Sequence, residues 1–283
     1  MQNLLGLYEK ALPKDVSWPE RLDVARRLGF DFMEISIDES DERLARLDWS
    51  KAEKGQLRQA IEGSNIPLLS MCFSGHRKYP LGSRDPQVRR KSLELMDKAV
   101  NFAADLGIRV IQLAGYDVYY EEPGDDTREL FIQGLRAAAD MAACRQVMLG
   151  IEIMDTAFMN SIQKYLQYDR LIASPWLSVY PDIGNLSAWG NDVEAELELG
   201  FSRIVGVHVK ETRRVSATSG GQFRDVPFGQ GEVDFVRIFR KLKQLHYAGP
   251  FVIEMWGDTL ENPAAEILRS RQFVLEKMKE AGL

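Results

Sequence analysis

Residues 17–37, SWPERLDVARRLGFDFMEISI, contain one full copy of the pattern that organises this chain. Ser17 followed three positions later by Glu20 is a capping box, and Gly29 stops the helix that they open. FDFMEISI, residues 30–37, is apolar almost throughout instead of alternating, as a parallel strand covered on both faces should be. A helix leading into such a strand, repeated, builds βαβ units with right-handed crossovers.

The same strand signature recurs at residues 4–9, 66–74, 109–116, 147–154, 177–184, 204–211 and 250–255. Helical periodicity lies between these runs. DPQVRRKSLELMDKAVNFAADLG, for example, opens on Asp85 with Pro86 in the first turn and closes at Gly107. Eight such strands, with no Pro-rich or Gly/Ser linker dividing them, predict an α/β fold of the closed (β/α)8 TIM-barrel type, one domain over residues 1–283. No GxGxxG or GxxxxGK[ST] follows any strand, which removes the usual nucleotide sites of open sheets. The one long irregular insertion, TRRVSATSGGQFRDVPFGQGE at 212–232, exceeds what a connector needs and is expected to cover a site.

Composition narrows the class. The chain is 45% hydrophobic and 28% charged, the profile of a globular protein with a sizeable core. Its 42 acidic and 36 basic residues give a net charge of -6, so no global positive field attracts nucleic acid or anionic membrane. Cys72 and Cys144 are too few for a disulfide framework. MQNLLGLYEKALP does not read as a signal peptide, and no uncharged apolar run approaches the ~18 residues of a membrane span. A cytoplasmic protein is expected, with no nucleic-acid or membrane partner. The aromatic stretches YDVYYEEP (116–123) and LSAWGND (186–192) offer surface for a homodimer.

In this barrel the chemistry lies at the C-terminal ends of the strands. Strands five to eight, neighbours around the barrel, end near Glu152, Asp182, His208 and Glu254. A lone histidine in an apolar strand is more often a hydrogen-bonded core residue; four such groups at one end of four consecutive strands change the balance. As bare groups the three carboxylates would repel. Around a divalent cation they form, with the imidazole, an O,O,O,N set suited to Mn²⁺, Co²⁺, Mg²⁺ or Zn²⁺. Glu9, Glu34 and Gln112 either line the other half of the mouth or hydrogen-bond structurally. His76, in SGHRKYP, stands at the rim within reach of a sugar hydroxyl, and His246 belongs to a helix end on the opposite face. A cation flanked by carboxylates supports either phosphate-ester hydrolysis or proton abstraction beside a carbonyl. In the second case, two carboxylates on opposite faces of a sugar invert a carbon by removing a proton on one side and returning one on the other.

GLYEKALP, SMCFSGHRKYPLGS, IQLAGYDVYY, EIMDTAFMNSI, YPDIGNLSAWGNDV, HVKETR, DVPFGQGEVDF and IEMW together resemble the L-ribulose-5-phosphate 3-epimerases. These are also called L-xylulose-5-phosphate 3-epimerases and belong to the sugar isomerase/epimerase TIM-barrel superfamily. The resemblance runs from Leu4 to about Leu275. It implies interconversion of L-ribulose 5-phosphate and L-xylulose 5-phosphate at C3 through a metal-stabilised cis-enediolate, in bacterial pentose and L-ascorbate catabolism. Glu152, Asp182, His208 and Glu254 match the superfamily's metal ligands, and Glu152 and Glu254 match its acid/base pair.

Related epimerases of free ketoses carry a His three residues after the metal-binding Asp and an Arg six after the metal-binding His. Here those positions are Asn185 and Arg214. Asn185 offers only neutral hydrogen bonds. Lys210, Arg213, Arg214, Arg77 and backbone N–H groups near SGG are candidates for the phosphate. His76, Asn185, Lys210 and Arg214 are thus the expected substrate-binding residues. An aldose–ketose isomerase or a free-ketose 3-epimerase of the same superfamily remains the alternative. A phosphodiesterase of the endonuclease IV type fits less well, since its multi-metal cluster uses several histidines and this acidic chain has three in all. A non-catalytic sugar-phosphate sensor fits poorly with two acid/base carboxylates present.

Overall fold

The computed structural model describes residues 3–283. Its eight strands are β1 (Leu5–Tyr8), β2 (Phe32–Ile37), β3 (Leu68–Phe73), β4 (Val110–Leu113), β5 (Met148–Glu152), β6 (Leu177–Tyr180), β7 (Val207–Val209) and β8 (Phe251–Ile253). They pair in parallel in the order β6-β5-β4-β3-β2-β1-β8-β7. Single bridges close the ring between β6 and β7, Val179 to Ile204 and Asp182 to His208. The His208 N–H donates to the Pro181 carbonyl at 2.9 Å across this seam. The expected TIM barrel is therefore present, and its strands read as unbroken apolar runs because β1, β2, β6, β7 and β8 are buried at every position.

Local sequence signals act where expected. The Ser17 N–H donates to Glu20 at 3.1 Å, which opens the helix Trp18–Arg27. Asp85 accepts from the Gln87 N–H at 2.7 Å, and Gly107 ends the helix Pro86–Leu106 at φ 78°.

The strand ends differ from expectation in a way that matters for function. The seventh strand, expected over 204–211, spans Val207–Val209, so Lys210 and Glu211 leave the sheet. Asp182, expected inside the sixth strand, instead caps the short helix Ile183–Ala188 and accepts from the Asn185 N–H at 2.9 Å. A carboxylate that captures a nearby backbone N–H competes with strand pairing and ends it.

The insertion at 212–232 is a strap. Arg213 pairs with Gln222 and Ser216 with Ser219, making a small antiparallel hairpin. The Val215 N–H donates to the Ala188 carbonyl at 2.8 Å, tying one end to the segment after β6. At the other end the Glu211 carboxylate accepts from the Gly229 N–H at 2.9 Å and the Val233 N–H at 3.2 Å. Gly231 passes this carboxylate so closely that a Cβ there would lie 2.3 Å from Glu211 Oε1. No helix among the described residues is long and apolar enough to cross a membrane.

Candidate active site

Glu152 ends β5, Asp182 follows β6, His208 lies in β7, and Glu254 follows β8 with its N–H donating to the Val209 carbonyl at 3.0 Å. One ligand atom from each of the four lies within 4.8 Å of every other, and all four residues are buried. His208 sits centrally, its Nδ1 3.4 Å from Glu152 Oε1 and 3.8 Å from Glu254 Oε2.

The imidazole is fixed from behind. Its Nε2 lies 2.7 Å from Glu34 Oε1, and the other oxygen of Glu34 accepts from the Ser70 hydroxyl at 2.6 Å and the Tyr180 hydroxyl at 3.2 Å. With Nε2 held by Glu34, Nδ1 is the nitrogen turned toward the cluster. Burial disfavours charge on this ring. The carboxylates of Glu34 and Glu254 outweigh it and push its pKa well up. Glu34 thus has the orienting role, and it does not line the cavity at the mouth. Glu9 is structural: it holds Arg43 at 2.7 Å and Arg46 at 2.8 Å, and accepts from the Ser36 N–H at 2.7 Å.

Lys210 brings its ammonium to 2.6 Å from Asp182 Oδ2 and 2.9 Å from Glu254 Oε2. Asp182 Oδ2 and Glu254 Oε2 are thus ion-paired to this ammonium, and the buried His208 Nδ1 makes no hydrogen bond. One ammonium does not balance three buried carboxylates, and the remaining buried negative charge is costly unless further positive charge is supplied. Three carboxylates and one imidazole nitrogen, mutually within reach and only partly satisfied, fit a divalent cation. Burial raises the pKa of Glu152, and it raises that of Asp182 to about 7. Burial pushes Glu254 up too, but Lys210 and His208 override it and hold that carboxyl at about 2.

Of the residues expected to bind substrate, Asn185 and Lys210 line the cavity at the mouth. Asn185 donates through Nδ2 to the Ile153 carbonyl at 2.9 Å, while its buried Oδ1 has no partner. The other two do not reach it. His76 is buried against the edge of Phe73, with Nε2 3.4 Å from the Ser92 carbonyl; burial lowers its pKa to about 4. It is packed into the barrel wall and not turned to a sugar. Arg214 is exposed and lines a separate outer cavity with Gly190, Asp192 and Glu232. Arg214, six residues after His208, lies in the small hairpin bridged by Arg213 and Gln222, away from the cup.

Two arginines line the mouth, Arg77, one of the expected phosphate candidates, and Arg224, whose guanidinium lies 5.1 Å from the Trp256 ring centre. Composition gave no reason to prefer Arg224, and the available cue was its place in QFRDVPFG, between aromatics in the insertion expected to cover the site. Tyr8 and Trp256, which also line the mouth, were likewise not singled out. The cavity directly over the cluster is small, about 40 Å³. Lys210, Glu254 and Trp256 separate it from one of about 500 Å³ under the strap.

A buried cup of three carboxylates and a histidine at the C-terminal mouth of an eight-stranded barrel defines a class, and sequence comparison agrees with it. Residues 22–277 match the family model described as xylose isomerase-like TIM barrel. SgbU of Escherichia coli (strain K12) is 57% identical over 278 residues, covering 98% of this chain and 97% of that one. The L-ribulose-5-phosphate 3-epimerase UlaE of Salmonella heidelberg (strain SL476) is 54% identical over 279 residues, covering 99% and 96%. The chain belongs to the xylose isomerase-like TIM-barrel family and, within it, to the L-ribulose-5-phosphate 3-epimerases. The solved structure of an L-ribulose 3-epimerase, only 18% identical, shares the fold with a TM-score of 0.82 over 99% of this chain and 96% of that one.

Proposed function

We propose that this chain inverts C3 of L-ribulose 5-phosphate and L-xylulose 5-phosphate, with Glu152 and Glu254 as the two proton-transferring groups. The observation that carries this is the placement of two carboxylates at the ends of β5 and β8, on either side of the β6 and β7 ligands, within one buried cup. Glu152, Asp182, His208 and Glu254 would hold a divalent cation of the Mn²⁺, Co²⁺, Mg²⁺ or Zn²⁺ class, which would supply Lewis-acid stabilisation of negative charge on the substrate's oxygens.

The residues of the chain do the rest. One glutamate removes the C3 proton, leaving an enediolate, and the other delivers a proton to the opposite face, so the configuration inverts. Asn185 Oδ1, buried and unpartnered, accepts from a substrate hydroxyl. Glu34 holds the His208 ring so that one nitrogen only faces the cup. Trp256, Tyr8 and the strap exclude bulk water from the enediolate.

The test is incubation of metal-loaded protein with L-ribulose 5-phosphate in D₂O. Deuterium at C3 together with L-xylulose 5-phosphate is the expected outcome. Deuterium at C2 of an aldose product would establish an isomerase instead, and neither product nor exchange would overturn both.

A further inference from the structure

The strap is fastened in two different ways. Across residues 216–228 no backbone hydrogen bond leaves it for the rest of the barrel among the described residues. Stacking holds this span down: Phe223 lies 5.8 Å from the Trp189 ring, and Arg224 lies over Trp256. At its root the fastening is electrostatic. The buried Glu211 carboxylate accepts from the N–H groups of Gly229 at 2.9 Å and of Thr212 and Val233 at 3.2 Å, and no cation pairs with it among the described residues. Backbone donors given to a carboxylate form bonds roughly twice as strong as neutral ones, and they offset the cost of burying the charge. Only glycine fits at 231, where a Cβ would also lie 2.4 Å from the Thr212 carbonyl oxygen.

The space beneath the strap shows why this contrast matters. The cavity over the cup, about 40 Å³, has room for about three water molecules at ~10–15 Å³ each, and a five-carbon sugar phosphate does not fit. The strap residues 225–228 and Gln230 roof the adjoining cavity of about 500 Å³, and Trp256 stands between the two. Admission of substrate to the cup therefore requires Trp256 and the span that rests on it to move, while the root stays in place.

We propose that residues 216–228 are a lid over the carboxylate cup, and that Glu211 is the positioning residue whose carboxylate, bonded to the backbone on both sides of the strap's root, brings the lid back to its closed seat. Glu211 touches no reacting atom. It acts through the strap, while its neighbour Lys210 serves the cup directly. Only the kinetic arm of the test below rests on the epimerase function proposed above.

The experiment follows limited trypsin cleavage, mapped by mass, in metal-loaded parent, Glu211→Gln, Gly231→Ala and the double variant, with kcat and KM for L-ribulose 5-phosphate measured on the same proteins. Cleavage after Arg224, in the middle of the lid, reports the open population. Loss of a charge-assisted contact speeds it about 30-fold in each single variant. The double variant exceeds neither, because both substitutions disrupt one contact. Cleavage at Lys98, inside the helix Pro86–Leu106, stays at the parent rate. Enclosure acts on the enediolate and not on the bound ground state, so kcat falls about tenfold or more while KM stays within about threefold. Cleavage after Arg224 in Glu211→Gln within about threefold of the parent overturns the latch, and so does equal acceleration at Lys98, the mark of a general loss of stability. A raised KM with unchanged kcat overturns the positioning role. If the parent turns over no ketose, the epimerase function fails, and cleavage after Arg224 still decides the latch. Glu211→Gln preserves the side-chain shape and carries the test even if Gly231→Ala does not fold.

Discussion

Glu34 Oε1 lies 2.7 Å from His208 Nε2, although the two residues are 174 positions apart in the chain. The contact fixes which imidazole nitrogen faces the carboxylate cup. Glu34→Gln keeps the shape but places an amide, which cannot accept at both oxygens, where Ser70 and Tyr180 also donate. Such outer partners of metal ligands contribute about 10–100-fold in affinity. Calorimetric titration of the metal-stripped variant with Mn²⁺ should show a loss of that size; an unchanged Kd would mean the ring needs no orienting.

Glu152→Gln and Glu254→Gln each retain an oxygen for a cation while removing the proton-accepting group. Each should lower kcat about 1,000-fold with an unchanged circular dichroism spectrum. Substantial turnover by either variant would rule out the two-carboxylate scheme.

Lys210→Met tests what the ammonium does for the cup. Without it, Asp182, Glu152 and Glu254 are buried with less compensation, and breaking a buried pair costs about 3–5 kcal/mol. The metal-free variant should be destabilised by about that much, and saturating Mn²⁺ should restore most of the loss. Denaturant unfolding with and without metal measures both; an equal deficit in the two states would refute compensation.

His76 gives the protein an acid sensitivity unrelated to catalysis. Burial holds its imidazole at about 4, whereas in the unfolded chain it titrates near about 6.5. As pH falls below the unfolded value, the unfolded chain takes up the proton first, so stability is lost between about 6.5 and 4 and levels off below. At pH 5 the loss is about 2 kcal/mol. His76→Leu should shrink the fall in unfolding free energy between pH 7 and pH 5 by that amount in urea titrations. Identical pH dependence in parent and variant would disprove the assignment.

The barrel was legible because each strand is a short apolar run framed by helix caps, and those signals are local. The cup was legible for a related reason: an acid or histidine at the end of a buried strand is conspicuous, and Glu152, Asp182, His208 and Glu254 recur at the same end. Arg224 was not legible, since the hairpin at 213–222 breaks the relation between sequence distance and position at the mouth. His76 misled because a rim position in sequence says nothing of whether a ring turns toward solvent or toward Phe73. The orienting role of Glu34 depends on a contact across the barrel, which periodicity does not encode.

The barrel's weakest join lies between β6 and β7, where single bridges replace a continuous ladder, and one of those bridges is Asp182 to His208. Two of the four candidate ligands therefore face each other across the line along which the cylinder would first split. A cation gripped by both would be a rivet as well as a reagent, fastening the wall at the place where the sheet has the fewest stitches of its own.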